Sequence, residues 1–259
     1  MPKAIELKGV SWRRGDSLIL QDIDWTVEEG QHWAVLGLNG SGKSSILNII
    51  SGYMWPTTGE VSVLGHKFGT IDLRELRKSI GWVSSSLQEK IRPNEQALEI
   101  VISGRHASIG LYAEIEQADR EKAHALMNDL GCSHLIGRTY QTCSQGEKQK
   151  LLIARALMAS PKLLILDEAS NGLDFISREA LLQSIDALAV RPDAPTLLLV
   201  THHTEEVSPV FSHSLLIRRG RIFAQGESKK ILNDEKLSEF FEMPVGVDWR
   251  GGRAWLSVR

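Results

Sequence analysis

Between the apolar run Trp33-Ala34-Val35-Leu36 and the apolar positions Ile46, Leu47, Ile49 and Ile50 lies the stretch Gly37-Leu38-Asn39-Gly40-Ser41-Gly42-Lys43-Ser44. A short apolar run reads as a strand, and apolar residues at helical spacing read as a helix, so the glycines occupy a strand-to-helix loop. That context points to an α/β architecture in which a strand feeds directly into a helix. The glycines let backbone N–H groups turn inward around an anion, and the helix adds its positive end. Lys43 supplies a point charge for the β- and γ-phosphates of a nucleoside triphosphate, and the Ser44 hydroxyl is a ligand for Mg²⁺. The loop from Gly37 to Ser44, together with Ser45, is expected to hold that nucleotide.

A second constellation has the same character. Leu163-Leu164-Ile165-Leu166 runs into Asp167-Glu168, which places two carboxylates at the carboxyl end of a strand buried on both faces. Asp167 is suited to hold Mg²⁺, and Glu168 to orient or deprotonate an attacking water.

Alternation predicts strands at Ile5 and Leu7, at Ile23, Trp25 and Val27, at Val61–Leu64 and at Ile80–Val83. From about Pro93 to Cys143 the period becomes helical. After it come a helix (Gly146 to Met158), the strand at Leu163, a helix (Ile176 to Leu188), a strand at Leu197–Val200 and a hairpin around Arg219-Gly220. A helical tail from near Glu227 and a short strand or ordered tail over Arg250 to Arg259 close the chain. The expected fold is α/β, a parallel sheet with helices on both faces, an antiparallel β layer at the N-terminus and an inserted α-helical subdomain over about 86–142; with the glycine loop it resembles the RecA-like P-loop NTPase fold. The expected division is a domain over 1–235 and a C-terminal tail over 236–259.

Net charge is −2, from 30 basic and 32 acidic residues, without a polybasic segment, so a dedicated nucleic-acid surface is not expected. Arg218-Arg219-Gly220-Arg221 reads as a solvated hairpin turn. No apolar run reaches the ~18 residues of a membrane span, and the N-terminus lacks a signal-peptide core. A cytoplasmic location is expected, with any membrane role coming through a partner. Cys132 and Cys143 have neither metal nor redox spacing and read as small apolar side chains.

Cys143-Ser144-Gln145-Gly146-Glu147 precedes a helix carrying Leu152, Ile153, Ala156 and Leu157, and Ser144 and Glu147 have the spacing of a capping box. Upstream of Asp167, this segment resembles the signature motif of the ATP-binding cassette (ABC) ATPase family, with Ser144 and Gly146 retained. Ser170-Asn171-Gly172-Leu173-Asp174 resembles the D-loop, and Thr201-His202-His203 the switch-histidine segment. The resemblance covers roughly residues 3–235. It implies Mg²⁺-dependent hydrolysis of ATP to ADP and phosphate in a head-to-tail dimer, most simply a homodimer. In that dimer Ser144 and Gly146 face the partner's γ-phosphate, while Glu168, His202 and Lys43 carry the catalysis. It also implies an ATPase subunit energising a separate membrane permease, peripheral at the inner face of the membrane. The alternative is a soluble ABC ATPase acting on a ribosome or DNA.

The sequence departs from the family pattern in three places. Arg14 stands where an aromatic residue usually stacks on adenine; its planar guanidinium can stack on a base, whereas Trp12, alternating with Val10, is expected in the core. Ser85 occupies the Q-loop glutamine position, the nearest glutamine being Gln88, so either is a candidate metal ligand. Ala169 replaces the proline after the catalytic glutamate. Trp12-Arg13-Arg14-Gly15, Gly30-Gln31-His32-Trp33 and Ser84-Ser85-Ser86 resemble a molybdate-transport-like (ModF- or YlmA-like) subgroup.

Overall fold

The structure, a computed structural model, describes residues 2–106 and 115–259. The chain divides into two compact units, Met1–Arg77 with Thr196–Arg259, and Lys78–Pro195.

The first unit opens with β1 (Lys3–Arg14) and β2 (Ser17–Glu28), followed by β3 (Trp33–Leu36), α1 (Lys43–Ile50), β4 (Thr58–Val63), β5 (His66–Lys67) and α2 (Leu73–Lys78). The second unit holds β6 (Ile80–Ser84), α3 (Ser85–Gln88), α4 (Ala97–Ser103), α5 (Gln117–Asp129), α6 (Gln145–Leu157), β7 (Leu163–Asp167) and α7 (Phe175–Ala189). The chain then returns to the first unit with β8 (Thr196–Thr201), β9 (His213–Arg218), β10 (Arg221–Glu227), α8 (Ser228–Ile231), α9 (Asp234–Phe241), β11 (Val245–Arg250) and β12 (Arg253–Val258).

In the first unit β1 lies between β2 and β4, with β5 on the far side of β4, all antiparallel. Ile5, Leu7, Ile23, Trp25 and Val27 are buried, as the alternation requires of a half-covered sheet. The expectation for Trp12 is corrected. The β1–β2 register shifts on both sides of it, breaking the alternation with Val10, and Trp12 is half-buried rather than core. The parallel part of this unit is β8-β3-β9, with Ala34 opposite both Leu199 and Ser214. All four residues of β3 and all six of β8 are buried, as expected of strands covered on both faces. His32 Nδ1 accepts the Leu197 N–H at 3.1 Å and fixes the start of β8 beside β3.

In the second unit β6 and β7 are parallel. Ala97, Ile100 and Val101 of α4, Ala123, Leu126 and Met127 of α5, and Leu152 and Ile153 of α6 are buried at the helical spacing read from the sequence. Both cysteines are buried, and burial pushes the Cys132 thiol up to about 11 and raises Cys143 as well, which keeps them unreactive.

Candidate functional site

The first unit builds a phosphate cradle at the carboxyl ends of β3 and β8. Leu36, the last residue of β3, is paired with Thr201, the last residue of β8, so the Gly37 loop and His202 leave neighbouring strands side by side. Gly42 closes the loop at φ 109°, a left-handed conformation that suits glycine, and stands at the N-cap of α1. No side chain caps α1, so its first N–H groups point back toward the loop without intrahelical partners. Lys43 is buried, and its ammonium donates to the carbonyls of Gly37 at 2.7 Å and Leu38 at 3.4 Å. The loop is braced by Ser41 N–H to Leu38 O (3.1 Å) and by Gly220 N–H to Ser41 O (2.9 Å).

Two observations test the fit to a phosphate chain. Among the described residues Ser41 Oγ is buried without a hydrogen-bond partner. A Cβ on Gly37 would lie 2.5 Å from that oxygen, and one on Gly42 would lie 2.7 Å from Leu20 Cδ2, so the loop is shaped for bare backbone. A buried cation, an uncapped helix start and an orphaned hydroxyl suit a polyanion. Leu38, Asn39, Gly40 and Ser44 are exposed, and Ser45 is half-buried. Arg14 is exposed at the β1–β2 turn, opposite Ser17.

His202 is exposed, and its ring lies 4.1 Å from that of His203. The turn behind it is tied down by Thr201. The Thr201 hydroxyl donates to Glu206 Oε2 at 2.6 Å and accepts the His203 N–H at 3.0 Å.

The second unit gathers the acidic and signature residues. Ser84, the last residue of β6, pairs with Asp167, the last of β7, so the Q-loop position and the acid pair share one sheet edge. Asp167 and Glu168 are half-buried. Glu168 has φ 52°, in the left-handed region, a strained backbone of the kind found at functional positions. The side chain of Ser85 lies outside the described residues. Gln88 is drawn to α6 instead: its Nε2 donates to Gln145 Oε1 at 2.6 Å, and its Oε1 accepts from Gln149 Nε2 at 3.0 Å. Both ends of its carboxamide are thus engaged. Its partners Gln145 and Gln149 were missed in the sequence, although their spacing of one helical turn on α6 is a readable signal.

The capping box is closed. Ser144 Oγ accepts the Glu147 N–H at 3.3 Å, and Glu147 Oε2 accepts the Ser144 N–H at 2.7 Å. Burial pushes the Glu147 carboxyl up, but hydrogen bonds from His134 and Ser144 and the nearby Arg138 charge outweigh it and hold the pKa below the usual range. Gly146 is buried in the first turn of α6. Asp174 caps α7 by accepting from Ser177 N–H at 2.9 Å and from its hydroxyl at 2.8 Å. Among the described residues no group of three or more His, Cys, Asp or Glu side chains could hold a metal ion.

The ABC transporter family model matches residues 20–171. The chain is 50% identical over 254 residues to the ABC transporter ATP-binding protein YlmA of Bacillus subtilis (strain 168), covering 98% of this chain and 96% of YlmA. It is 31% identical over 203 residues to the ABC transporter ATP-binding protein ModF of Escherichia coli (strain K12), covering 77% of this chain and 41% of ModF. A dimeric ATP-binding cassette solved in a post-hydrolysis state with ADP and Pi superposes with a TM-score of 0.73 at 26% identity, over 86% of this chain and 98% of that one. Sequence along nearly the whole chain and fold along most of it converge: this chain belongs to the ATP-binding cassette (ABC) transporter family.

Proposed function

We propose that the chain is the ATP-hydrolysing subunit of an ABC transporter, working as a dimer of two copies beneath a separate membrane permease. The observation that carries this reading is the phosphate cradle, in which Lys43 lies buried over an uncapped helix start. The chain binds ATP through Gly37–Ser45, with Arg14 stacked on the base. Ser44 and Asp167 would hold Mg²⁺, which would supply charge neutralisation at the phosphates when bound. Ser85 or Gln88 serves as the Q-loop residue; the Gln88 carboxamide is engaged by Gln145 and Gln149 on α6.

Glu168 accepts the proton of the attacking water, and His202 donates a hydrogen bond to the γ-phosphate. Ser144 and Gly146 of the second copy complete the site. Ser144 can both cap α6 and serve the phosphate: its oxygen accepts from Glu147 through a lone pair and leaves the O–H to donate. Among the described residues no helix is long and apolar enough to cross a membrane. The relatives are ATP-binding proteins of transporters, which supports a separate permease partner and a peripheral, cytoplasmic site of action. The balanced charge gives no support to a nucleic-acid target.

Glu168→Gln is the test. It should keep ATP binding, lower turnover by about 10²–10⁴-fold, and accumulate an ATP-bound dimer on size-exclusion chromatography. Near-native phosphate release would remove Glu168 from the role.

A further inference from the structure

The C-terminal hairpin, outside the matched family segment, touches the turn that carries His202. Val245, Val247 and Trp249 on β11 pair with Val258, Leu256 and Ala254 on β12, giving one face of apolar side chains. Ala254 is fully buried, and its carbonyl accepts a 2.7 Å hydrogen bond from the hydroxyl of Thr204, itself 2% exposed. Thr204 begins the single 3₁₀ turn Thr204–Glu206 that follows His202-His203. A second contact lies just beyond: Gly252 at the hairpin tip has φ 76°, and a Cβ there would come within 2.7 Å of Pro209 Cγ.

We propose that this hairpin positions the switch histidine, with Thr204 as the positioning residue through which it acts. The backbone after β8 is held at one end by Thr201, whose hydroxyl bridges His203 N–H and the buried Glu206 carboxylate. Thr204 fixes the other side of the same turn to the β11–β12 hairpin. His202 is exposed with its ring 4.1 Å from that of His203, so the backbone of this turn helps to set where both imidazoles stand. Misplacing a catalytic group by about 1 Å can cost 10²-fold in rate, and two such anchors limit that displacement. The hairpin thereby gains control over turnover without touching nucleotide.

The inference rests on the role given to His202 above, and a double-mutant cycle separates the two. In the full-length chain, Thr204→Val should lower kcat by about 10–100-fold, with KM for ATP and affinity for a non-hydrolysed analogue unchanged within about twofold. Thr204→Ser, which keeps the donor, should restore most of the rate. In a His202→Ala background, Thr204→Val should cause no further loss, because its effect passes through the missing imidazole. Gly252→Ala repeats the cycle from the hairpin side and decides the matter should Thr204→Val fail to fold. Undiminished turnover in His202→Ala would overturn the histidine's role. A slow His202→Ala beside native rates for folded Thr204→Val or for Gly252→Ala, or equal losses with and without His202, would overturn the hairpin's.

Discussion

α1 and α6 both begin in glycine- and serine-containing loops, yet one start is left open and the other is sealed. Gly42 gives α1 no side-chain cap, whereas Ser144 and Glu147 close a reciprocal pair of hydrogen bonds at α6. A capping side chain stabilises a helix by about 0.5–2 kcal/mol, and α1 goes without it. Its donors are left for a ligand with more negative charge than a serine oxygen can offer. At α6 the capping box satisfies the Ser144 and Glu147 N–H groups within a single chain, and Ser144 and Gln145 are exposed. The difference leaves the start of α1 open to an anion and closes the start of α6 on its own side chains.

Lys43→Ala attacks the open end and should have the largest effect. Loss of this donor should lower turnover by about 10²–10³-fold, and nucleotide titration should show weakened binding. Retention of both would mean that the open helix start is not the ligand site. Ser144→Ala attacks the sealed end. It should cost about 1 kcal/mol of stability, seen in denaturant unfolding, and should also slow hydrolysis in the dimer. Glu147→Gln is the sharper control and the smallest perturbation, since it weakens the cap but leaves the Ser144 hydroxyl in place. Hydrolysis should stay near native; equal slowing in the two variants would reduce α6 to a structural helix.

Acid unfolding refines the same contrast. The Glu147 pKa is lower folded than unfolded, so its stabilisation is complete above the unfolded value, about 4.3, and disappears as pH falls through the lower folded value. Melting followed downward from about pH 5 should therefore be less steep in Glu147→Gln than in the parent.

The features legible in the sequence were those whose cause is local. The Gly37 loop, the acids after Leu166 and the Ser144–Glu147 spacing each carry their mechanism within a few residues, and β3, β7 and β8 announce themselves as apolar runs. What escaped depends on distant partners. Gln88, one of the two Q-loop candidates, has its carboxamide bonded to Gln145 and Gln149, residues that only the fold brings beside it. Trp12 reads as core until the register shifts around it are known. The full β11–β12 pairing behind the ordered tail depends on packing against the turn at Thr204, and the left-handed backbone of Glu168 has no sequence signal in a residue that rarely adopts it. Arg218 and Arg219 read as solvated charges. Arg218 donates to Glu239 O at 2.6 Å at the C-terminal end of α9, and Arg219 pairs with Glu242 at 2.9 Å.

That same turn has a practical consequence. With Arg219 exposed at its tip, it is the kind of place an experimenter would choose for a fluorophore or an epitope insertion. However, Gly220 donates its N–H to Ser41 O, accepts from Gln21 N–H, and has room for no side chain, since a Cβ would lie 2.2 Å from Ile19 O. A side chain grafted at Gly220 would push on Ile19 of β2 and, through the hydrogen bond to Ser41 O, pull on the glycine loop, so a label at this spot would perturb the very event it was meant to watch.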